Sequence, residues 1–165
     1  MKNKHHQKRI DMVKQKALIE SFIFQTNWGL KKLYNTPSNS IVAMTKTELD
    51  SIIDLNLFED LLMIKKIVDD VKSTFNIEPV AERGDFCSFV ALALGIGRTN
   101  NITELNAPAD WKGLADKKIL SIYYKSDVRN TIVDYAKQNG YNVSTYLGKP
   151  IIKLNKLFIL LDRTK

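Results

Sequence analysis

The chain of 165 residues is 44% hydrophobic and 26% charged, with a formal net charge of +7. This composition is typical of a globular protein that can bury a core, and it excludes a disordered chain. Cys87 is the single cysteine, which excludes an intrachain disulfide, and no apolar run approaches the roughly 20 residues of a membrane helix. We therefore expect a cytoplasmic protein with no signal peptide and no membrane partner, in which Cys87 is buried as a small apolar residue.

The charge is unevenly distributed along the chain. Residues 1–40 carry eight Lys and Arg against two Asp and Glu, residues 41–84 five against nine, and residues 85–165 twelve against seven. Two basic regions flanking an acidic one indicate a polyanionic partner, unless they pack beside the acidic region and the charges largely cancel. The excess of 20 Lys over 5 Arg is typical of an AT-rich genome and fits a phage or plasmid accessory protein.

The first stretch of the chain predicts a basic arm followed by a helix. Residues 1–9 are polar, which predicts a flexible arm that either aids solubility or reaches phosphates. Residues 10–34 predict a helix, with a break near Gly29 as an alternative. Its apolar residues crowd the second half, so we expect that half to be buried, with Trp28 in the core.

A second helix is predicted from a capping pattern. Thr45-x-x-Glu48 matches the capping box, in which the Thr hydroxyl and the Glu carboxylate satisfy free backbone N–H groups at a helix start. The helix would begin at Lys46, after a polar loop at residues 35–40 and a short extended segment at residues 41–44.

The strongest helical pattern follows. Six apolar residues recur at alternating spacings of four and three: Leu57, Leu61, Ile64, Val68, Val71 and Phe75. Such a stripe predicts a core helix or, if it meets a second copy, a short coiled coil. Asp85 then predicts the N-cap of a helix over residues 86–96, which is apolar nearly all round and should be deeply buried.

The last third of the chain predicts strands around one helix. Residues 118–124 are rich in β-branched and aromatic residues, which predicts a strand. A helix should follow, capped by Ser126 or Asp127. Residues 141–147 alternate between apolar and polar side chains, as in a second strand.

A tight turn should lead into a third strand. Gly148-Lys149 predicts a two-residue type II′ turn. Residues 157–161 are apolar on both faces, as in a central strand or a short core helix. The sequence therefore predicts an α+β fold, with a helical region at residues 10–106 packed against a β-α-β-β unit at residues 107–165.

Tyrosines and basic residues in this unit point to a binding surface. By alternation, Tyr123 shares a face with Ser121, and Tyr146 shares a face with Ser144. Aromatic rings on a half-exposed sheet can stack unpaired bases while cations neutralise phosphates, although tyrosines also pack at sheet edges for stability alone. The predicted nucleic-acid-binding residues are Tyr123, Lys125, Arg129, Tyr146, Lys149 and Lys153.

The order of helix, strand, tight turn and strand over residues 127–154 is similar in rhythm to the end of a winged-helix domain. In that arrangement Arg129, Asn130, Lys137 and Lys149 would face DNA. A strand rather than a helix is predicted before Asp127, so the pattern lacks the helix that precedes a recognition helix.

Two other functions remain open. A protein-binding regulator would contact a host protein or a second copy through the acidic region at residues 46–75, or through a sheet edge near Ile151. A metal-dependent nuclease would gather Glu78, Asp85 and Asp110 beside Lys112 to hold Mg²⁺.

Signatures of other enzyme classes are missing from the sequence. It contains no phosphate-binding loop and no complete dinucleotide fingerprint. Both histidines lie in the predicted arm, where they neither complete a zinc site nor activate Cys87. We therefore predict a non-catalytic protein that needs no cofactor or metal and whose partner is DNA or RNA.

Overall fold

The computed structural model describes residues 2–164 and contains, within them, six α-helices and one sheet of four strands. The helices are α1 (Lys2–Tyr34), α2 (Asn39–Asp54), α3 (Phe58–Phe75), α4 (Phe89–Ala93), α5 (Trp111–Lys117) and α6 (Arg129–Gln138). The strands are β1 (Ile119–Lys125), β2 (Asn142–Tyr146), β3 (Lys149–Lys153) and β4 (Phe158–Thr164). A helical region followed by a C-terminal sheet confirms the predicted α+β class.

The sheet has the strand order β1-β4-β3-β2. β1 and β4 are parallel, whereas β4, β3 and β2 form antiparallel pairs. The apolar residues 157–161 therefore lead into a central strand, and the unit is β-α-β-β-β. The strand before α6 is also confirmed, so no helix stands where a winged-helix domain would need one.

The core lies between the helices and one face of the sheet. Five of the six residues of the predicted stripe are buried within it, including Leu61 and Val71 at 0% exposed, whereas Phe75 is 40% exposed. The sheet contributes Leu120, Ile152 and Ile159 to the same cluster. The stripe is therefore a core face and not a coiled-coil seam.

Helix α1 is longer than predicted and is continuous. It runs without interruption from Lys2 to Tyr34. Residues 2–9, predicted as a flexible arm, therefore form the first turns of the helix, and Met1 lies outside the described residues. The alternative of a break near Gly29 is therefore wrong. A Cβ on Gly29 would lie 1.7 Å from the Ala93 carbonyl oxygen, so the missing side chain lets α1 and α4 touch.

The outer side of α1 is apolar and exposed. Phe24 is 67% exposed and Trp28 is 57% exposed. The expectation that Trp28 lies in the core is therefore wrong. A helix that is apolar on two sides buries only the side that meets a neighbour, and here that side carries Phe22 and Leu30.

Helix α2 begins earlier than the capping pattern indicated. Ser38 is its N-cap, with the Ser38 hydroxyl accepting a hydrogen bond from the Ile41 N–H. The predicted extended segment is thus helical, and the capping box is wrong. Thr45 lies inside the helix and donates to the Ile41 carbonyl, which frees Glu48 for a different role.

Glu48 is a buried carboxylate that joins three segments. Its oxygens accept hydrogen bonds from the N–H groups of Phe89 (3.1 Å) and Val90 (3.3 Å), which open α4. They also accept from the Ala109 N–H (3.4 Å) and the Trp111 indole N–H (3.0 Å). Three buried donors and the half-buried Ala109 N–H are satisfied by one side chain.

Helix α4 is much shorter than predicted, although its burial is confirmed. Its N-cap is Ser88, whose hydroxyl accepts from the Ala91 N–H, and the expected cap Asp85 lies outside it. Asp85 instead accepts from the Ser121 N–H (2.7 Å) and the Lys117 ammonium (2.9 Å). Cys87, expected to be buried, is exposed, because the short α4 leaves it in the preceding loop.

Another buried carboxylate anchors the turn between β3 and β4. Asp60, on the first turn of α3, is 1% exposed. It accepts hydrogen bonds from the backbone N–H groups of Asn155 (3.1 Å), Lys156 (2.8 Å) and Leu157 (2.8 Å). The sheet is thereby fixed to the helical region at one end.

Two local predictions in the sheet region are also corrected. The turn after β2 consists of Leu147 and Gly148, both with positive φ (50° and 76°), which is typical of a type I′ turn one residue earlier than predicted. The N-cap of α6 is Val128, with no side-chain cap from Ser126 or Asp127. Among residues 2–164, none of the helices combines the length and the apolar content that a transmembrane span requires.

Candidate nucleic-acid interface

The two faces of the sheet differ in what covers them. One face contributes Leu120, Ile152 and Ile159 to the core, and α6 packs against this side. Side chains alternate along strands, so residues one position away point to the other side, which we call the open face. The strand register assigns to the open face Ile119, Ser121, Tyr123, Lys125, Asn142, Ser144, Tyr146, Lys149, Ile151, Lys153, Phe158, Leu160, Asp162 and Thr164.

The predicted tyrosines lie in one row across the open face. Tyr123 on β1 opposes Asp162 on β4, and Tyr146 on β2 opposes Lys149 on β3. Ile151 opposes Leu160, which brings Lys149 level with Asp162 and closes the row. Four neighbouring strands thus present Tyr, Asp, Lys and Tyr in line.

The middle of this row is an ion pair. The Lys149 ammonium lies 2.8 Å from Oδ2 of Asp162, whose side chain is only 11% exposed. Burial by itself raises the pKa of Asp162. Lys149, the Arg163 N–H and the Tyr123 hydroxyl outweigh it, and the pKa lies below its usual value. Lys149 therefore has an internal partner, which the sequence analysis did not foresee.

The Lys149–Asp162 pair predicts a pH dependence of stability. The pKa of Asp162 is lower in the folded chain than the ~3.9 of an unfolded aspartate, so the stabilisation is complete above that unfolded value. It should be lost as the pH falls through the lower, folded-state pKa. In urea unfolding, the free energies of unfolding of the wild type and of Asp162→Asn should approach one another as the pH is lowered. A constant difference at every pH would contradict this.

The other predicted site residues divide between two places. Lys125 and Lys153 are exposed on the open face. Each is the last residue of its strand, and because β1 and β3 run in opposite directions the two lysines lie at opposite ends of the sheet. Arg129 is the first residue of α6, which packs on the core side of the sheet. The structure therefore brings five of the six predicted residues to the open face and leaves Arg129 apart from them.

Arg83 is a candidate site residue that no pattern in the sequence predicted. It lies in the connection before α4, which runs along β1: the Val80 N–H donates to the Tyr123 carbonyl, and the Asp85 N–H donates to the Ser121 carbonyl. The Arg83 guanidinium lies 5.9 Å from the centre of the Tyr123 ring. The guanidinium gives the Tyr123 end of the row a positive charge that no local sequence pattern predicted.

The strand order shows that one predicted protein-binding site, the sheet edge near Ile151, is wrong. Ile151 was expected near a sheet edge that could bind a protein. It lies instead on β3, which pairs with β2 on one side and β4 on the other. The outer strands are β1 and β2, so a partner could not add a strand at Ile151.

The carboxylates of the nuclease alternative have other partners. Glu78 lines a cavity of about 650 Å³ at the end of β1 and is bonded to Lys72 and Arg98. Asp85 binds the start of β1, and Asp110 caps α5 by accepting from the Gly113 N–H. Within residues 2–164, no group of three or more acidic, His or Cys side chains is placed to hold a metal ion.

Neither the family models nor the curated proteins compared with this chain gave a match. The chemistry of the site therefore rests on its own geometry. The open face offers two aromatic rings and exposed cations at Lys125, Lys153 and Arg83, whereas its centre is closed by the buried side chains of Ile151, Leu160 and Asp162. Such a surface can stack planar groups and attract anions.

Proposed function

We propose that the chain binds single-stranded nucleic acid on the open face, without catalysing a reaction. The observation that carries this proposal is the row in which Tyr123 and Tyr146 stand at the two ends. Strands lie about 4.8 Å apart, so three spacings place the tyrosines roughly 14 Å from one another. Two rings on one surface at that separation suit two unpaired bases of one strand.

The aromatic residues favour a single strand over a duplex. Bases in a duplex are stacked on one another and present only their edges, whereas unpaired bases can lie flat on tyrosine rings. Tyr146 is 44% exposed, at the outer strand of the sheet, where a base could reach it. Stacking tolerates any base, so little sequence preference is expected.

The electrostatic contribution should come from Lys125, Lys153 and Arg83. All three are exposed. Lys149 is a weaker candidate than the sequence indicated, because Asp162 already neutralises its charge. We expect Lys149 to stabilise the row of four side chains, and the three exposed cations to contact phosphates.

The proposal predicts binding that weakens steeply with salt. Fluorescence polarisation with a labelled single-stranded oligonucleotide should give a log–log slope near −0.7 for each phosphate contact, hence about −2 for three. Lys153→Glu should weaken binding and make the slope shallower by roughly 0.7, because one contact is lost. Lys46→Glu, the same charge change at an exposed position on α2, is the matched control and should bind like the wild type.

Two results would overturn the proposal. One is no binding of single-stranded DNA or RNA by micromolar protein at low salt. The other is equal loss of affinity in the Lys46 and Lys153 variants, which would mean that only net charge matters. A duplex of the same sequence should bind more weakly than the single strand.

A further inference from the structure

The outer side of α1 carries a continuous stripe of small and apolar residues. The outer stripe, as we call it, follows spacings of three and four and consists of Ile10, Val13, Ala17, Ser21, Phe24 and Trp28. At 3.6 residues per turn it lies on the opposite side of the helix from Phe22, Thr26 and Leu30, which face the core. Val13 is 65% exposed, close to the exposed fractions of Phe24 and Trp28.

The two ends of the outer stripe differ. The aromatic residues of the C-terminal end pack against one another, whereas the N-terminal half of α1 extends beyond the core. The rings of Phe24 and Trp28 stack at 6.4 Å, and the Lys32 ammonium lies 5.3 Å from the Trp28 ring. From residue 3 to residue 18 every side chain is exposed except the half-buried Ile10. A helix of that length is marginal without packing, so another surface should cover it.

We propose that the outer stripe binds the outer stripe of a second copy of this chain, with the two α1 helices antiparallel. An axis near residue 19 places Ala17 against Ser21 of the second copy, where small side chains let the helices approach. Val13 then meets Phe24 of the second copy. Ile10 likewise meets its Trp28, so each aromatic residue packs on an aliphatic one and the surface is self-complementary.

The charges beside the outer stripe fit this pairing. Glu20 of one copy faces Lys16 of the other, and the two-fold symmetry repeats this ion pair, so the dimer contains it twice. On the opposite flank Lys14 faces Gln25 and Lys32 faces Gln7 of the second copy, whereas Lys31, on the Glu20 flank, lies near Arg9 of the second copy. Raised salt should screen this contact between like charges, so it should not weaken the dimer.

A bilayer would be the other natural cover for a basic helix with exposed Phe and Trp. Two features favour the second copy. Ala17 and Ser21 sit in the middle of the outer stripe, where a membrane-binding face would carry bulky apolar residues. Glu20 lies beside them, where an anionic surface would repel it.

The test is the mass of the full chain in solution, measured by light scattering and sedimentation over a wide concentration range. We expect twice the monomer mass of 18.9 kDa at high concentration, and no weakening at raised salt. Val13→Glu should raise the dimer dissociation constant at least about a hundredfold, because the two copies each place a carboxylate in the seam. Circular dichroism should show that the variant remains folded, since Val13 is exposed in the monomer.

The next residue supplies the matched control. Met12 is 64% exposed, like Val13, but points away from the outer stripe, so Met12→Glu should dimerise normally. Lys16→Glu and Glu20→Lys should each weaken the dimer several-fold, and the double exchange should restore it, as the antiparallel pairing predicts.

A chain that stays monomeric at every concentration would overturn the proposal. That holds even if the monomer binds vesicles of phosphatidylserine and phosphatidylcholine, which would assign the outer stripe to lipid. Equal effects of Met12→Glu and Val13→Glu would also overturn it, because the seam would then not follow the outer stripe.

Discussion

Glu48→Ala is expected to lower the free energy of unfolding by about 4 kcal/mol, the largest effect of any single change considered for this fold. Its two oxygens accept from Phe89, Val90, Ala109 and Trp111, at 3.0 to 3.4 Å. Removing the carboxylate leaves these buried donors without partners, and each unsatisfied donor costs about 1–3 kcal/mol. The negative charge at the start of α4 is lost as well.

Urea unfolding at a fixed protein concentration measures this loss. Asp50→Ala, two residues later on α2 and exposed, is the matched control and should change stability by no more than about 0.5 kcal/mol. Glu48→Gln should fall between the two, because the amide keeps one acceptor but turns an N–H₂ group toward other donors. A loss below about 1 kcal/mol for Glu48→Ala would show that water satisfies these donors without Glu48.

Tyr146→Ala is expected to weaken binding of single-stranded nucleic acid by about 1–3 kcal/mol, which is roughly fivefold to 150-fold in affinity. The ring is exposed at the outer strand, and removing it takes away one stacking surface. Tyr123→Ala should have a comparable effect, although this residue also contacts Arg83. The double variant should lose close to the sum, because the two rings lie too far apart to touch.

Phenylalanine variants separate stacking from other roles of the tyrosines. Tyr146→Phe keeps the ring and should bind within about twofold of the wild type, since stacking needs no hydroxyl. Fluorescence polarisation at one salt concentration compares the set, and circular dichroism checks that each variant is folded. If Tyr146→Phe loses as much affinity as Tyr146→Ala, or if Tyr146→Ala binds normally, base stacking at this position is refuted.

Local patterns predicted several elements and one face well. The spacing of Leu61, Ile64 and Val71 fixed a helix and its buried side, because helical periodicity decides which side chains share a face. Alternation likewise placed Tyr146 with Ser144 on the open face. It could do so because neighbouring residues of any strand point to opposite sides, whatever the rest of the chain does.

Local patterns gave wrong predictions for residues whose contacts lie far away in the sequence. Thr45 and Glu48 have capping-box spacing, but Glu48 bonds groups 41 to 63 residues away, which no local motif contains. Trp28 belongs to a helix apolar on two sides, and the sequence does not say which side another helix will cover. Gly29 supplies the close contact with Ala93 that settles it.

The sequence by itself therefore determined the α+β class, the identities of most elements and the alternation that aligns each tyrosine with small polar neighbours. Only the tertiary structure decided that β4 lies between β1 and β3, which sets Asp162 between the tyrosines and gives Lys149 an internal partner. It also decided that the Arg83 guanidinium lies 5.9 Å from the centre of the Tyr123 ring and that the outer stripe of α1 is left exposed. The physical reason is that periodicity is a property of neighbouring residues, whereas strand order and helix contacts depend on pairings between segments far apart in the chain.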